Sequence, residues 1–283
     1  MALEKESCST ILVTLAGAAV SVDCSDPVLH ERFATLFRHC SYPPCTPRIR
    51  FSVTRTSKKE HRLEREGRQL YEGDNLDYLS HLLIHELMIC LIRDCVDGLA
   101  LHSGALARSG SGLLLCGESA SGKSTLSAWL TAAGFDYLTD EHAVVALDGR
   151  SMTGLPRAIM LRQGSTFVLE HWLGKDHRRS SISFASKSIA VDPELLRPAS
   201  VCRRARPKAL FFPRYSPGEP LASRRLSAAE ATVRLVRVST NAAKLPESGI
   251  PAALALARGV EAFTLDYPDA ATAAAWIESK VAG

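Results

Sequence analysis

The chain has 283 residues, 46% hydrophobic and 23% charged, with a formal net charge of +4. That balance excludes a disordered, collagenous or fibrous chain, and the small net charge argues against a nucleic-acid coat, so no nucleic-acid partner is expected. The longest apolar stretch, 10–22, is too short to span a bilayer, and the opening Met-Ala-Leu-Glu-Lys-Glu has no apolar signal core. A cytoplasmic protein without membrane contact is the expectation. Eight cysteines are scattered with no Cys-x-x-Cys pair, which predicts reduced thiols rather than a disulfide framework or a zinc module.

In chain order, residues 10–23 alternate as one or two strands, and 27–39 place apolar residues at helical spacing. Prolines make 41–47 a loop. Strands are expected at 48–54, 61–66 and 68–72, the last two joined through Gly67, followed by an amphipathic helix over 75–95. On that helix His81 and His85 lie one turn apart beside Glu86, but without a further ligand they read as ordinary histidines. Residues 1–97 thus form an α+β domain with no catalytic grouping, suited to scaffolding or substrate recognition.

From Gly98 the pattern changes, and 98–283 read as a second domain. Two strands separated by a Ser-Gly-Ser-Gly break lead into a glycine loop and a helix. Further strands are expected at 135–138, 143–147, 158–161, 209–212 and 262–265, with a last helix beginning near Asp269. Between Arg157 and Arg214, twelve Lys and Arg face four acids, so a surplus of eight positive charges could meet phosphate groups or an acidic surface, or form a solvated face. Residues 174–188 are polar and basic and read as a mobile loop, of which 177–188 could close over an acceptor or be plain solvated loop.

Residues 117–124, Gly-Glu-Ser-Ala-Ser-Gly-Lys-Ser, match the phosphate-loop pattern G-x-x-x-x-G-K-S/T in the strand–loop–helix context it requires. Gly117 and Gly122 let the backbone approach phosphate oxygens, with Glu118, Ser119, Ala120 and Ser121 between them and Thr125 just beyond. The helix N-terminus adds a positive dipole end. Lys123 can reach the β- and γ-phosphates, and the Ser124 hydroxyl can ligate Mg2+. These residues predict a site for ATP and Mg2+. The guanine-reading Asn-Lys-x-Asp tetrad is absent, since neither Asn75 nor Asn241 precedes a lysine. An acid pair, Asp140-Glu141, follows Lys123 closely. On an extended segment adjacent carboxylates point to opposite sides, so one of them is expected to face the metal. His102 lies on the strand before the glycine strand and could be brought near the loop, or could be structural.

The segments Leu-His-Ser-Gly-Ala-Leu, Gly-Glu-Ser-Ala-Ser-Gly-Lys-Ser-Thr-Leu and Tyr-Leu-Thr-Asp-Glu-His-Ala-Val resemble the HPr kinase/phosphorylase catalytic domain and its wider relatives. The resemblance is specific from about Gly98 to Gly149, weaker through 155–165 and 208–215, and does not extend to the first 95 residues. It implies an α/β fold, a P-loop kinase core of the HPr kinase/phosphoenolpyruvate carboxykinase type with a small N-terminal α+β domain. It also implies roles: Asp140 as general base on an acceptor hydroxyl, Glu141 with Ser124 and Asp140 around the metal, and His102 beside the transferring phosphoryl. The pair here is Asp-Glu where the family has Asp-Asp. Relatives outside the HPr-specific branch include ones resembling kinases that phosphorylate a serine of a lasso-peptide precursor, so the implied partner is a small protein or peptide carrying an acceptor serine. Arg157 is the first candidate for a phosphate clamp and Arg162 the second. A kinase of a small metabolite and a non-catalytic nucleotide sensor stay open, as does the oligomeric state, a homo-oligomer included.

Overall fold

The structure, a computed structural model, describes residues 9–93, 95–174, 182–183 and 188–281. Its contacts divide the chain into two compact units, residues 1–95 and 96–283. Most of the basic segment read as a mobile loop lies outside the described residues.

In the first unit, strands β1 (Ser9–Leu15) and β2 (Ala18–Cys24) form a hairpin. Its turn residues Ala16 and Gly17 both have positive φ, the conformation that matches strand twist in a two-residue turn. Helix α1 (Pro27–Leu36) crosses over to β3 (Ile49–Arg55), parallel to β2. The Asp26 carboxylate accepts from the Val28 and Leu29 amides and Pro27 occupies the first turn, which explains the helix start. Strands β4 (His61–Arg65) and β5 (Arg68–Gly73) complete a sheet ordered β1-β2-β3-β4-β5. Helix α2 (Leu76–Arg93) packs on it together with α1, burying Leu29, Phe33, Leu83 and Leu87 over a sheet face that includes Val13, Val22, Phe51 and Leu63. His81 and His85 stand exposed on α2, outside any cluster of potential metal ligands among the described residues.

The second unit opens with β6 (Gly98–Arg108) and β7 (Ser111–Cys116), a hairpin turned at Ser109-Gly110. Helix α3 (Lys123–Ala132) follows the glycine loop. Strands β8 (Asp136–Thr139) and β9 (His142–Ala146) both pair antiparallel with β6, and β10 (Met152–Gly154) turns back on β9. A smaller sheet holds β11 (Ile159–Arg162), β12 (Ile182–Ser183) and β13 (Ser188–Val191), with the short helices α4 (Phe167–Leu173) and α5 (Pro193–Leu196) nearby in sequence. The long β14 (Arg204–Tyr215) runs parallel to β7 on one side and to β16 (Glu261–Tyr267) on the other. Strand β15 (Ala222–Arg225) forms the edge, and helices α6 (Ala228–Val238), α7 (Ile250–Gly259) and α8 (Ala270–Val281) complete the unit. The main sheet reads β10-β9-β6-β7-β14-β16-β15, with β8 also on β6.

Two apolar layers fix this sheet. Leu126 and Leu130 of α3 pack with Leu113, Leu115, Phe211 and Ala273 on one side, while Leu235 of α6 and Leu256 of α7 join Leu114, Leu210 and Leu99 on the other. Each side chain removed from water contributes about 2 kcal/mol, so α3 cannot rotate or slide without losing several contacts at once.

Several elements differ from the expectations. The first helix stops at Leu36, with Phe37 as its cap, rather than continuing to residue 39. The strand expected at 209–212 is the centre of a twelve-residue strand. Helices α6 and α7 and strands β10, β13 and β15 were not expected. Helix α6 carries a capping box in which the Ser227 hydroxyl bonds the Glu230 amide and the Glu230 carboxylate bonds back to the Ser227 amide, a local signal the hydrophobic pattern overlooks.

Strand β6 reaches beyond β7 at its N-terminal end, and Asn241 replaces the missing neighbour. The Ala100 amide donates to its side-chain oxygen at 2.8 Å, and its amide nitrogen donates to the Gly98 carbonyl at 2.8 Å. Asn241 is buried, so its truncation leaves two backbone groups without partners. Asn241→Ala is expected to lower stability by about 1–3 kcal/mol, read as a shift of the urea midpoint with an unchanged slope. An unchanged midpoint would show that these bonds are not needed.

Candidate phosphate-binding site

The glycine loop leaves the C-terminal end of β7 and enters α3 through Gly122, whose φ of 93° is left-handed. A side chain there is excluded twice, by backbone conformation and by the Tyr267 hydroxyl, which a Cβ would overlap. The loop occupies the carboxyl end of three neighbouring parallel strands, the usual place for a ligand in an open α/β sheet. The leading amides of α3 have no intrahelical partner, and a helix N-terminus of this kind is suited to an anion.

Lys123 is buried, and its ammonium donates to the Gly117 and Glu118 carbonyls at 2.7 and 2.8 Å. Burial lowers its pKa, while the Asp140 and Glu141 charges act in the other direction. Cys116, directly below, is fully enclosed and its thiol is pushed up to about 12 by burial, so it is an inert neighbour. Ser124 follows Lys123 in the first helical turn, half-buried. Thr125 donates to the Ser165 hydroxyl at 2.9 Å, tying the start of α3 to the segment after β11.

Asp140 and Glu141 occupy the bend between β8 and β9, both of which pair with β6: Thr139 lies opposite Ala105 and His142 opposite His102. This corrects the expectation of an extended segment with carboxylates on opposite sides. The bend breaks the alternation, and both carboxylates reach one guanidinium. Arg157 Nη2 forms a very short pair with Glu141 Oε2 and lies 3.7 Å from Asp140 Oδ1. The Ser103 amide donates to the Glu141 carbonyl at 2.9 Å and holds the bend against β6.

Asp140 is almost fully buried. The Tyr137 hydroxyl sits 3.0 Å from both Asp140 Oδ1 and the Arg157 carbonyl, and the Met160 amide donates to Asp140 Oδ2 at 3.3 Å. An ionised carboxylate has about four acceptor positions, so these contacts orient it without exhausting it. Arg157 is buried as well, which works against its charge, but the two carboxylates outweigh burial and hold it protonated more firmly than usual. The same guanidinium holds the Glu141 carboxyl down at about 2.

Arg157 is therefore engaged by acids, not presented to phosphate. Arg162, the second candidate, donates to the Ser119 hydroxyl of the loop at 3.2 Å and is exposed. Of the two, Arg162 stands where an incoming phosphate would meet it.

His102 lies half-buried on β6 with its pKa lowered, first by burial and then by the Lys123 ammonium. Its ring is 5.4 Å from that of His142, a residue to which the sequence assigned no role. His142 is buried, its Nδ1 has no hydrogen-bond partner among the described residues, and burial lowers its pKa to about 4. One ligand atom each from His102, Glu141 and His142 lie within 4.8 Å of one another. Ser124, Asp140 and Glu141 carry oxygen donors, the type that suits a hard cation such as Mg2+. The histidine set is opposed by the Arg157 and Lys123 charges, whose repulsion of a divalent ion rises steeply in a site of low dielectric.

No protein-family model and no curated protein matches this chain. Among solved structures it is similar to the Hpr(Ser) kinase/phosphatase from Coxiella burnetii, with a TM-score of 0.32 and 14% identity over 64% of this chain and 91% of that one. Among the described residues no helix is long and apolar enough to cross a membrane.

The acid pair yields a pH-dependent prediction. Removing Arg157 leaves two carboxylates facing each other in a largely buried site, so Arg157→Met is expected to cost about 3 kcal/mol near neutrality. The Arg157 guanidinium holds the Glu141 carboxyl at about 2 in the folded chain, below the ordinary glutamate value of 4.5 that it regains on unfolding. Its stabilising contribution is complete above the unfolded value and is lost as pH falls from about 5 towards 2. The stability difference between wild type and Arg157→Met should shrink across that window, as measured by urea unfolding at successive pH values. A difference independent of pH would refute the proposed coupling.

Proposed function

We propose that the chain is an ATP-dependent phosphotransferase that moves the γ-phosphoryl group to a serine hydroxyl of a small protein or peptide. The observation that carries this reading is the placement of Asp140 and Glu141, held by Arg157, beside the glycine loop that presents Lys123 and Ser124. The peptide acceptor rests on the resemblance of the three motif segments to HPr-kinase-like proteins, and the modified-peptide branch is the acceptor class it favours.

The loop amides and the α3 N-terminus bind and orient the triphosphate, and Lys123 exchanges its two carbonyl partners for phosphate oxygens. Arg162 adds a guanidinium to the same oxygens. The Ser124 hydroxyl with the Asp140 and Glu141 carboxylates would hold Mg2+, which when bound spreads and neutralises phosphate charge. In the transfer the acceptor oxygen bonds to the γ-phosphorus as the bond from that phosphorus to the β–γ bridging oxygen breaks, releasing ADP. The acceptor proton passes to the Asp140 carboxylate, whose orientation Tyr137 and the Met160 amide fix. Glu141, with its carboxyl held at about 2, is too weak a base for this step and serves as an anionic ligand. His102, kept neutral by burial and the nearby ammonium, can hydrogen-bond the phosphoryl group.

Transfer from γ-labelled ATP with Mg2+ into a lysate of the source cell tests the reading. A discrete small protein or peptide should become labelled on serine. Lys123→Ala and Asp140→Asn should each lower transfer by at least about 10²-fold, with Asp140→Asn keeping most of the ATP affinity. Label confined to small molecules would make the acceptor a metabolite. Tight ATP binding with no label in any fraction would indicate a nucleotide sensor, and undiminished turnover in Asp140→Asn would remove the proposed base.

A further inference from the structure

The order of the strands gives the glycine loop two unlike flanks. Strand β6 lies on one side of β7, and with β8 and β9 it carries His102, Asp140 and Glu141. On the other side lie β14 and then β16. A triphosphate is linear. If its γ-phosphoryl group faces the acids and its middle is held by the loop amides, its nucleoside end must emerge on the β14 and β16 side.

That side is built in a particular way. The pairing of β14 with β7 ends at Phe211 opposite Leu115, but β14 continues for four more residues, in register with β16, to Tyr215 opposite Tyr267. This extension climbs along the loop. The Pro213 carbonyl lies 3.6 Å from the position a Cβ would take at Gly117, and the Tyr215 Cβ lies 3.8 Å from the corresponding position at Gly122. One residue earlier, Arg214 and Asp266 form a bidentate pair with both bonds at 2.7 Å, holding the two strand ends together beyond the last pairing of β14 with β7.

The two tyrosines differ. Tyr267 is buried, and its hydroxyl donates to the Ser121 carbonyl at 3.2 Å, so it is fastened to the loop. The Tyr215 ring lies 5.7 Å from it, inclined by 49°, and is 51% exposed. An aromatic ring rooted at the helix N-terminus, backed by a second ring fixed to the loop and open to solvent on its outer side, is a surface on which a planar heterocycle can stack.

We propose that Tyr215 is the stacking platform for the purine of the bound nucleoside triphosphate, and that Tyr267 sets its position relative to the phosphates. This inference rests on the phosphotransferase reading and adds the residue that distinguishes a nucleotide from a bare polyphosphate. Stacking of this kind is worth about tenfold or more in affinity for one base, and it acts on the base alone.

The test compares the full chain with its Tyr215→Ala, Tyr215→Phe and Lys123→Ala variants by titration calorimetry, using ATP and inorganic triphosphate, each with Mg2+. Tyr215→Ala should weaken ATP about tenfold and leave triphosphate unchanged, and Tyr215→Phe, which keeps the ring, should restore the ATP affinity. Lys123→Ala should weaken both ligands. If Tyr215→Ala binds ATP as tightly as wild type, or weakens both ligands equally, the platform is wrong while the phosphate site stands. If the wild-type protein binds neither ligand, the phosphate site itself is wrong and the platform with it.

Discussion

The contact of one buried guanidinium with two adjacent carboxylates is the constraint around which the candidate site is organised. Asp140 and Glu141 stand beside a loop and helix N-terminus that favour negative charge, but two anions on successive residues also repel each other and would repel a triphosphate. Arg157 removes most of that cost: it holds the Glu141 carboxyl ionised, fixes the separation of the two acids and reduces the local charge. The bend that brings both acids to Arg157 depends in turn on β8 and β9 sharing β6 as their partner, and on the Ser103 amide bonding the Glu141 carbonyl. Charge placement and strand pairing therefore support each other, and loosening either would release both carboxylates into the space where phosphate is expected.

The loop has a comparable dependence on distant parts of the chain. Its glycines permit its shape, but they do not select it. Selection comes from Tyr267, whose hydroxyl bonds the Ser121 carbonyl, and from the apolar packing that seats α3 on the sheet through Leu126 and Leu130. Tyr267 ends β16, about 145 positions beyond the loop it contacts. A glycine loop without this buttress would sample many conformations, and anion binding would have to supply the ordering free energy, on the order of 1–2 kcal/mol for each residue fixed.

These dependencies explain what the sequence disclosed. The strand, loop and start of α3 were legible because every part of that signal is local: an apolar run, glycines at a fixed interval, then Lys-Ser before a helical pattern. Residues Asp140, Glu141 and His102 were singled out by position in the chain, but their mutual arrangement was not, because the bend depends on pairing with β6 as well as on the Thr139 hydroxyl, which accepts from the Glu141 and His142 amides at 3.2 and 3.3 Å. His142 carried no signal beyond its presence in a strand. Tyr215 and Tyr267 were invisible for the same reason: a tyrosine at a strand end becomes meaningful only when the register of two parallel strands is known. Helix α6 is different. Its capping box was present in the sequence at Ser227 and Glu230, and reading hydrophobic spacing alone passed over it.

The two arginines show how geometry refines a motif. Both lie close after the acid pair in the chain, and residue type alone suits either to phosphate. Arg157 follows Pro156 on the segment before β11, where its side chain turns inward and meets the acids; burial with two carboxylates makes that arrangement expensive to undo. Arg162 closes β11 and stays exposed, reaching the Ser119 hydroxyl. A group that must meet an incoming phosphate and release a product needs a weak, replaceable contact, and a group that positions catalytic acids needs a strong one. The division of these two guanidiniums follows from that difference in binding strength, with the fixed charge assigned to the acids and the replaceable one to the loop.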